Sequence, residues 1–127
     1  MIFRPTPLEF PPGVREEIAS LEEKVRGSSH PYIYFDRLAR LYAFRMGDWA
    51  NAYRCWEGLS RAVPDQPGIL VSLARAAFAL QKKEEAFRLM EEAIERETDP
   101  ERKKRYRMRV RGWTLPGEAR GSGSGTR

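Results

Sequence analysis

From Val14 to Val25 the apolar residues Val14, Ile18, Leu21 and Val25 follow one another at spacings of four, three and four, with charged residues filling most of the positions between. That period predicts an amphipathic helix, and Glu16 and Glu17 at its start and Lys24 and Arg26 at its end complement the helix dipole. Ser28-Ser29-His30-Pro31 predicts the entry to a second helix, because Ser or His can cap and proline is tolerated in a first turn. This helix runs to about Met46 with Leu38, Leu41 and Tyr42 buried. Ala52, Trp56 and Leu59 mark the stripe of a third helix over about 49–62, and Leu70, Leu73, Ala74 and Ala77 that of a fourth over about 67–80. A fifth, over about 83–96, buries Ala86, Met90, Ala93 and Ile94 and turns Glu84, Glu85, Glu91, Glu92 and Glu95 outward.

The breaks between these stripes are short. Gly27 stops the first helix, and Gly47-Asp48 closes the second and caps the third, since Gly47 can take positive φ and Asp48 can accept from the N–H groups ahead of it. Pro64 and Pro67 end the next pair, and Gln81-Lys82 forms a tight turn. Such short connections force neighbouring helices to lie antiparallel. Thr98-Asp99-Pro100-Glu101 starts a further element, and the run from Arg102 to Arg111 reads in two ways. Strict alternation from Arg105 onward suits a strand, whereas Tyr106, Val110 and Trp113 at four and three suit a helix. A lone strand would have no pairing partner here, so the expectation is a helix that lays Tyr106, Val110, Met108 and Trp113 over the preceding hairpin and turns its arginines to water.

The stripes also repeat. Leu38-Ala39-Arg40 returns as Leu73-Ala74-Arg75, and Ala52 with Trp56 returns as Ala86 with Met90, a period near 34 residues made of paired helices. The resulting fold class is all-α, an array of antiparallel helical hairpins with flanking capping helices. Residues 1–13, with four prolines, form an arm whose Ile2, Phe3, Leu8 and Phe10 lie partly against the helices. Residues 14–112 form the helical domain, with repeats at about 32–66 and 67–99 and a basic capping helix at about 100–112, and 113–127 form a flexible, Gly/Ser-rich tail.

Composition changes this picture in one respect. The net charge of +5 is uneven, because residues 101–127 hold nine Lys/Arg and two Glu while residues 1–100 carry slightly more acid than base. One cysteine, Cys55, and one histidine, His30, exclude an internal disulfide and the usual zinc sites. Cys55 reads as a small core residue and His30 as a loop or cap residue. There is no glycine-rich phosphate loop and no nucleophile with a plausible base, so no enzyme and no cofactor are expected. No apolar run is long enough to cross a bilayer, which leads to the expectation of a cytoplasmic protein without a membrane partner.

Leu38-Ala39, Tyr42, Gly47-Asp48-Trp49, Ala52, Trp56, Leu59 and Pro64 in the first unit resemble the tetratricopeptide repeat, as do Leu73-Ala74, Ala77, Ala86, Met90 and Ala93 in the second. The match covers roughly 32–99. It departs from the family pattern in one extra residue before Gly47, in Gln81 where glycine is usual and in Thr98 where the closing proline is usual. The resemblance implies a short right-handed superhelical array in which the first helix of each hairpin lines a concave groove for peptides or partner helices. Carried over position by position, the groove residues are Ile33, Asp36, Arg40, Ala43 and Phe44, then Gly68, Val71, Arg75, Phe78 and Ala79. Arg40 and Arg75 hold equivalent places and offer planar donors to a carboxylate, with Phe44 and Phe78 supplying apolar contact. The family's clamp for C-terminal carboxylates uses a lysine and asparagines, and Asp36, Arg40 and Val71 stand where those are needed, so chaperone-tail recognition is not supported.

Two functions follow as expectations. The first is a non-catalytic adaptor or scaffold that binds another protein or peptide, with acidic groups, through the groove or an end face. The second is nucleic-acid or ribonucleoprotein binding through Arg102, Lys103, Lys104, Arg105, Arg107, Arg109 and Arg111, with Tyr106 and Trp113 stacking on bases. Self-association is a further possibility, because two hairpins leave an end face to cover.

Overall fold

Helices account for all regular structure among the described residues, 13–121 of the computed structural model, with side chains described to Trp113. The elements are α1 (Val14–Gly27), a 3₁₀ turn (Pro31–Tyr34), α2 (Phe35–Arg40) continuing as a π-helical segment (Leu41–Arg45), α3 (Trp49–Ala62), α4 (Pro67–Ala79), α5 (Lys83–Arg96) and α6 (Pro100–Gly121). The packing divides into two units with the boundary between Val63 and Pro64. The expected contacts of the arm's Ile2, Phe3, Leu8 and Phe10 lie outside the described residues.

In the first unit, Val14, Ile18 and Leu21 of α1 pack with Leu38 of α2 and Leu41 of the π segment, and Val25, Tyr34, Tyr42, Met46 and Cys55 close around them. The α2 and α3 helices form the hairpin, in which Ala52 is fully buried and Trp56 nearly so. Gly47 takes φ +69, and Asp48 accepts from the Asn51 backbone N–H at 3.1 Å, as the sequence leads one to expect of a helix stop followed by a cap. The second helix is not one continuous α-helix. It opens as a 3₁₀ turn behind Pro31 and ends with Met46 N–H donating to the Leu41 carbonyl at 3.1 Å, five residues back. His30, expected as a loop or cap residue, precedes the 3₁₀ turn without a side-chain cap bond, and its N–H donates to Ser28 Oγ at 3.0 Å.

In the second unit, α4 and α5 form a hairpin whose apolar centre is built from small residues. Ala74, Ala76, Ala77, Ala86 and Ala93 are fully buried, which lets the helices approach, and Met90 fills the space between them. Gln81 closes this hairpin at φ +68. The basic segment is helical, so the strand reading of Arg105–Arg111 is set aside. Tyr106 is buried and Val110 half-buried, but Met108 is 60% exposed and does not join the packing expected of it. A helix turns each residue by about 100°, which places Met108 away from the side that holds Tyr106 and Val110. α6 also continues past the expected end at 112, and Trp113 lies within it.

Candidate interaction surfaces

Ile33, Asp36, Arg40 and Phe44 fall on one side of the second helix, separated by three, four and four residues. Ile33 is 60% and Phe44 50% exposed, the largest exposures of big apolar side chains in the first unit among the described residues. Asp36 organises this row. Its Oδ2 accepts from Arg40 Nε at 2.8 Å, and its Oδ1 accepts from the indole Nε1 of Trp56 at 3.0 Å. One carboxylate thus ties the exposed guanidinium to the buried core of α3. The pairing runs through Nε, and the Arg40 side chain remains 62% exposed. Phe44 sits edge-on to Trp49, with centroids 5.5 Å apart, and tilted to Trp56 at 6.5 Å. It is therefore held by aromatic neighbours while half of its surface faces water.

The corresponding residues of the second unit are arranged differently. Val71 is buried and Arg75 half-buried. Phe78 lies beneath Trp113 in a parallel stack at 4.4 Å with an interplanar angle of 6°, and Phe87 meets both rings edge-on. Lys83 Nζ stands 5.9 Å from the Phe78 ring centre. Phe78, expected in an open groove, is occupied by the chain's own α6.

Glu97 carries a joint that sequence reasoning missed. It follows the end of α5 and is 5% exposed, the only buried charged residue among the described ones. Its carboxylate accepts from the Asp99 N–H at 3.1 Å, Arg102 Nε at 3.2 Å and Tyr106 OH at 3.0 Å. The Asp99 N–H first, with Tyr106 and Arg102 after it, holds the Glu97 carboxyl below the usual carboxylate range despite its burial. Burial first, and the Glu97 carboxylate after it, push the Tyr106 phenol up. A cavity of about 470 Å³ opens beside this joint, walled by the start of α4, Arg96, Arg102 and Tyr106. Both arginines facing it are already committed, Arg96 to Glu92 at 2.6 Å and to the Pro64 carbonyl at 2.9 Å, and Arg102 to Glu97 and Asp99.

Along α6, Lys104, Arg105, Arg107, Arg109 and Arg111 are exposed and Lys103 is half-buried. Arg102 is drawn into the Glu97 joint, whereas Lys104, Arg105, Arg107 and Arg109 have no carboxylate within ion-pair reach among the described residues. The aromatic members of this segment, Tyr106 and Trp113, are engaged by Glu97 and by Phe78.

Elsewhere, the Cys55 thiol is pushed up to about 11 by burial and by the carboxylates of Glu22 and Asp48, so it is a protonated, packed side chain. Tyr42 donates to Glu22, and burial together with that carboxylate raises its phenol. His30 is exposed, with Tyr32 edge-on at 6.0 Å. Among the described residues no group of three or more His, Cys, Asp or Glu is placed to hold a metal ion, and no helix is long and apolar enough to cross a membrane. Comparison with protein-family models, with curated proteins and with solved structures finds no match to the chain.

Proposed function

We propose that the chain is a non-catalytic protein-interaction module of tetratricopeptide-like hairpins, working as an adaptor in the cytoplasm, and that its docking surface is the Ile33–Arg40–Phe44 row of the first unit. The observation that carries this reading is the pairing of two exposed large apolar side chains with a guanidinium held in place by Asp36. A preorganised arginine flanked by apolar groups matches a segment that presents a carboxylate between apolar residues, because the charge fixes orientation and the flanks supply burial. Support for the hairpin likeness comes from the left-handed residues Gly47 and Gln81, 34 positions apart, and from the buried pairs Ala52/Trp56 and Ala86/Met90 at the same separation. In the second unit Val71 is buried and Phe78 stacked, so this reading confines the docking row to the first unit.

Selection of a displayed random-peptide library on the full chain tests the reading. Recovered peptides carry an Asp, Glu or terminal carboxylate next to apolar residues, and Arg40→Glu or Phe44→Ala weakens their binding by about tenfold or more. Peptides that bind both variants as tightly as the parent chain would refute the proposed surface.

A further inference from the structure

We infer that the exposed face of α6 is a binding surface for duplex DNA, gripped through its phosphates and without base readout. The face is built by helical geometry. Lys104, Arg107 and Arg111 fall at intervals of three and four along one row, and Arg105 and Arg109 form a second row four apart, with exposed Met108 between the rows. From Lys104 to Arg111 the axis rises about 10 Å, so these cations occupy a short and dense patch. One cation of the segment is neutralised within the fold. Arg102 is held by Glu97 and Asp99, which leaves Lys104, Arg105, Arg107 and Arg109 without a carboxylate partner among the described residues. Four exposed like charges in two turns repel one another, and a polyanion relieves that repulsion while releasing its own counterions.

The kind of polyanion follows from what the aromatic residues are doing. Binding of single strands relies on aromatic faces on which bases stack. The two aromatics of this segment are committed, Tyr106 buried with its hydroxyl on Glu97 and Trp113 stacked on Phe78. What faces solvent is cationic with one methionine, which is the chemistry of phosphate contact. A helix with its side chains is roughly 10–12 Å across, and the major groove of B-form DNA, about 12 Å wide, admits it so that the two cationic rows meet the phosphates along the two edges of the groove. The major groove of A-form RNA is too narrow and deep for such entry. A membrane surface is a poorer match, because the exposed side offers Met108 alone where an interfacial helix needs a continuous apolar stripe.

Fluorescence anisotropy of a labelled DNA duplex titrated with the full chain tests this inference. The comparison arms are a single strand of the same sequence, an RNA duplex, polyglutamate and phosphatidylserine vesicles. Four phosphate contacts at a slope of about 0.9 each predict a loss of about 150-fold in affinity between about 50 and 200 mM salt. Lys104→Gln/Arg105→Gln/Arg107→Gln/Arg109→Gln, all at exposed positions, abolishes most of that slope and leaves the circular dichroism of the chain unchanged. Arg88→Gln, an exposed cation on α5, leaves the binding unchanged. Absence of duplex binding at the lower salt overturns the inference. So does a salt slope that survives the quadruple substitution, or tighter binding to any of the comparison arms than to the duplex.

Discussion

Gly58 lies in α3, where helix propensity alone says that alanine is the better residue by about 1 kcal/mol. The packing says otherwise. A Cβ added at Gly58 meets Phe35 Cε2 at 2.9 Å and Cδ2 at 3.3 Å, inside the roughly 3.5–4.0 Å at which carbon atoms attract. The phenyl ring starts α2 and pivots on only two torsions, so relieving the overlap displaces the ring and the helix start together. Forcing one extra methyl into a filled contact costs about 1–3 kcal/mol, which outweighs the propensity gain and leaves Gly58→Ala destabilising by up to about 2 kcal/mol.

Urea unfolding followed by circular dichroism measures this, and a cycle with Phe35→Leu isolates the cause. In the Phe35→Leu background the ring edge is gone, so Gly58→Ala regains its propensity advantage and the two changes couple by about 1–3 kcal/mol. Gly112 supplies the opposite case within the same chain. No atom lies within 4 Å of a Cβ built there, so Gly112→Ala stabilises by about 0.5–1 kcal/mol. A Gly58→Ala substitution that raises stability by the same amount in the parent chain as in the Phe35→Leu background would refute the close-contact argument.

Gln81 holds φ +68, so Gln81→Gly relieves left-handed strain and raises the unfolding free energy by about 0.5–1 kcal/mol, whereas Gln81→Val lowers it; urea midpoints of the two variants check the sign. Glu97 has a lowered carboxyl, so its contribution is complete above the ordinary carboxylate range and is lost as pH falls through its lower native value. Glu97→Gln therefore flattens the acid limb of the stability-against-pH curve and destabilises the chain at neutral pH, which melts taken from pH 7 to pH 3 resolve. Trp113→Ala removes the stack on Phe78 and the edge contact with Phe87, costs about 1–3 kcal/mol and speeds amide exchange in α6.

The helices were legible because their buried stripes obey one period. Leu70, Leu73, Ala74 and Ala77 are all buried where the spacing puts them, and so are Ala52, Trp56 and Leu59. The basic segment was ambiguous for a physical reason: its alternation concerns only the solvent-facing cations, while the contacts that decide its form, Tyr106 to Glu97 and Trp113 to Phe78, reach back to other helices. Glu97 was not legible at all. Nothing local separates it from Glu91, Glu92 or Glu95, and its burial depends on a hydroxyl nine residues further on. In the first unit, spacing alone aligned Asp36 with Arg40. The second bond of Asp36, to an indole twenty residues away, requires the hairpin to have formed.

The repeat contains its own irregularity. Leu38 and Leu73 are 35 residues apart, whereas Gly47 and Gln81, Ala52 and Ala86, and Trp56 and Met90 are each 34 apart. The one-residue difference must be absorbed between Leu38 and Gly47, and the π-helical segment Leu41–Arg45 lies within that stretch. An extra residue in a regular helix would rotate everything after it by about 100° and turn the next buried side chain out of the core. Widening one turn takes up the residue locally, with Met46 N–H on the Leu41 carbonyl and Asp48 N–H on the Tyr42 carbonyl at 2.7 Å. Downstream, Gly47 reaches the same left-handed φ as Gln81, and Trp56 reaches the same burial as Met90. The widened turn also lies immediately after Arg40 and contains Phe44, two of the three residues of the proposed docking row. A π turn is less favourable than the α turn it replaces and recurs at functional sites. Its position here ties the departure from the repeat to the proposed docking row of the first unit.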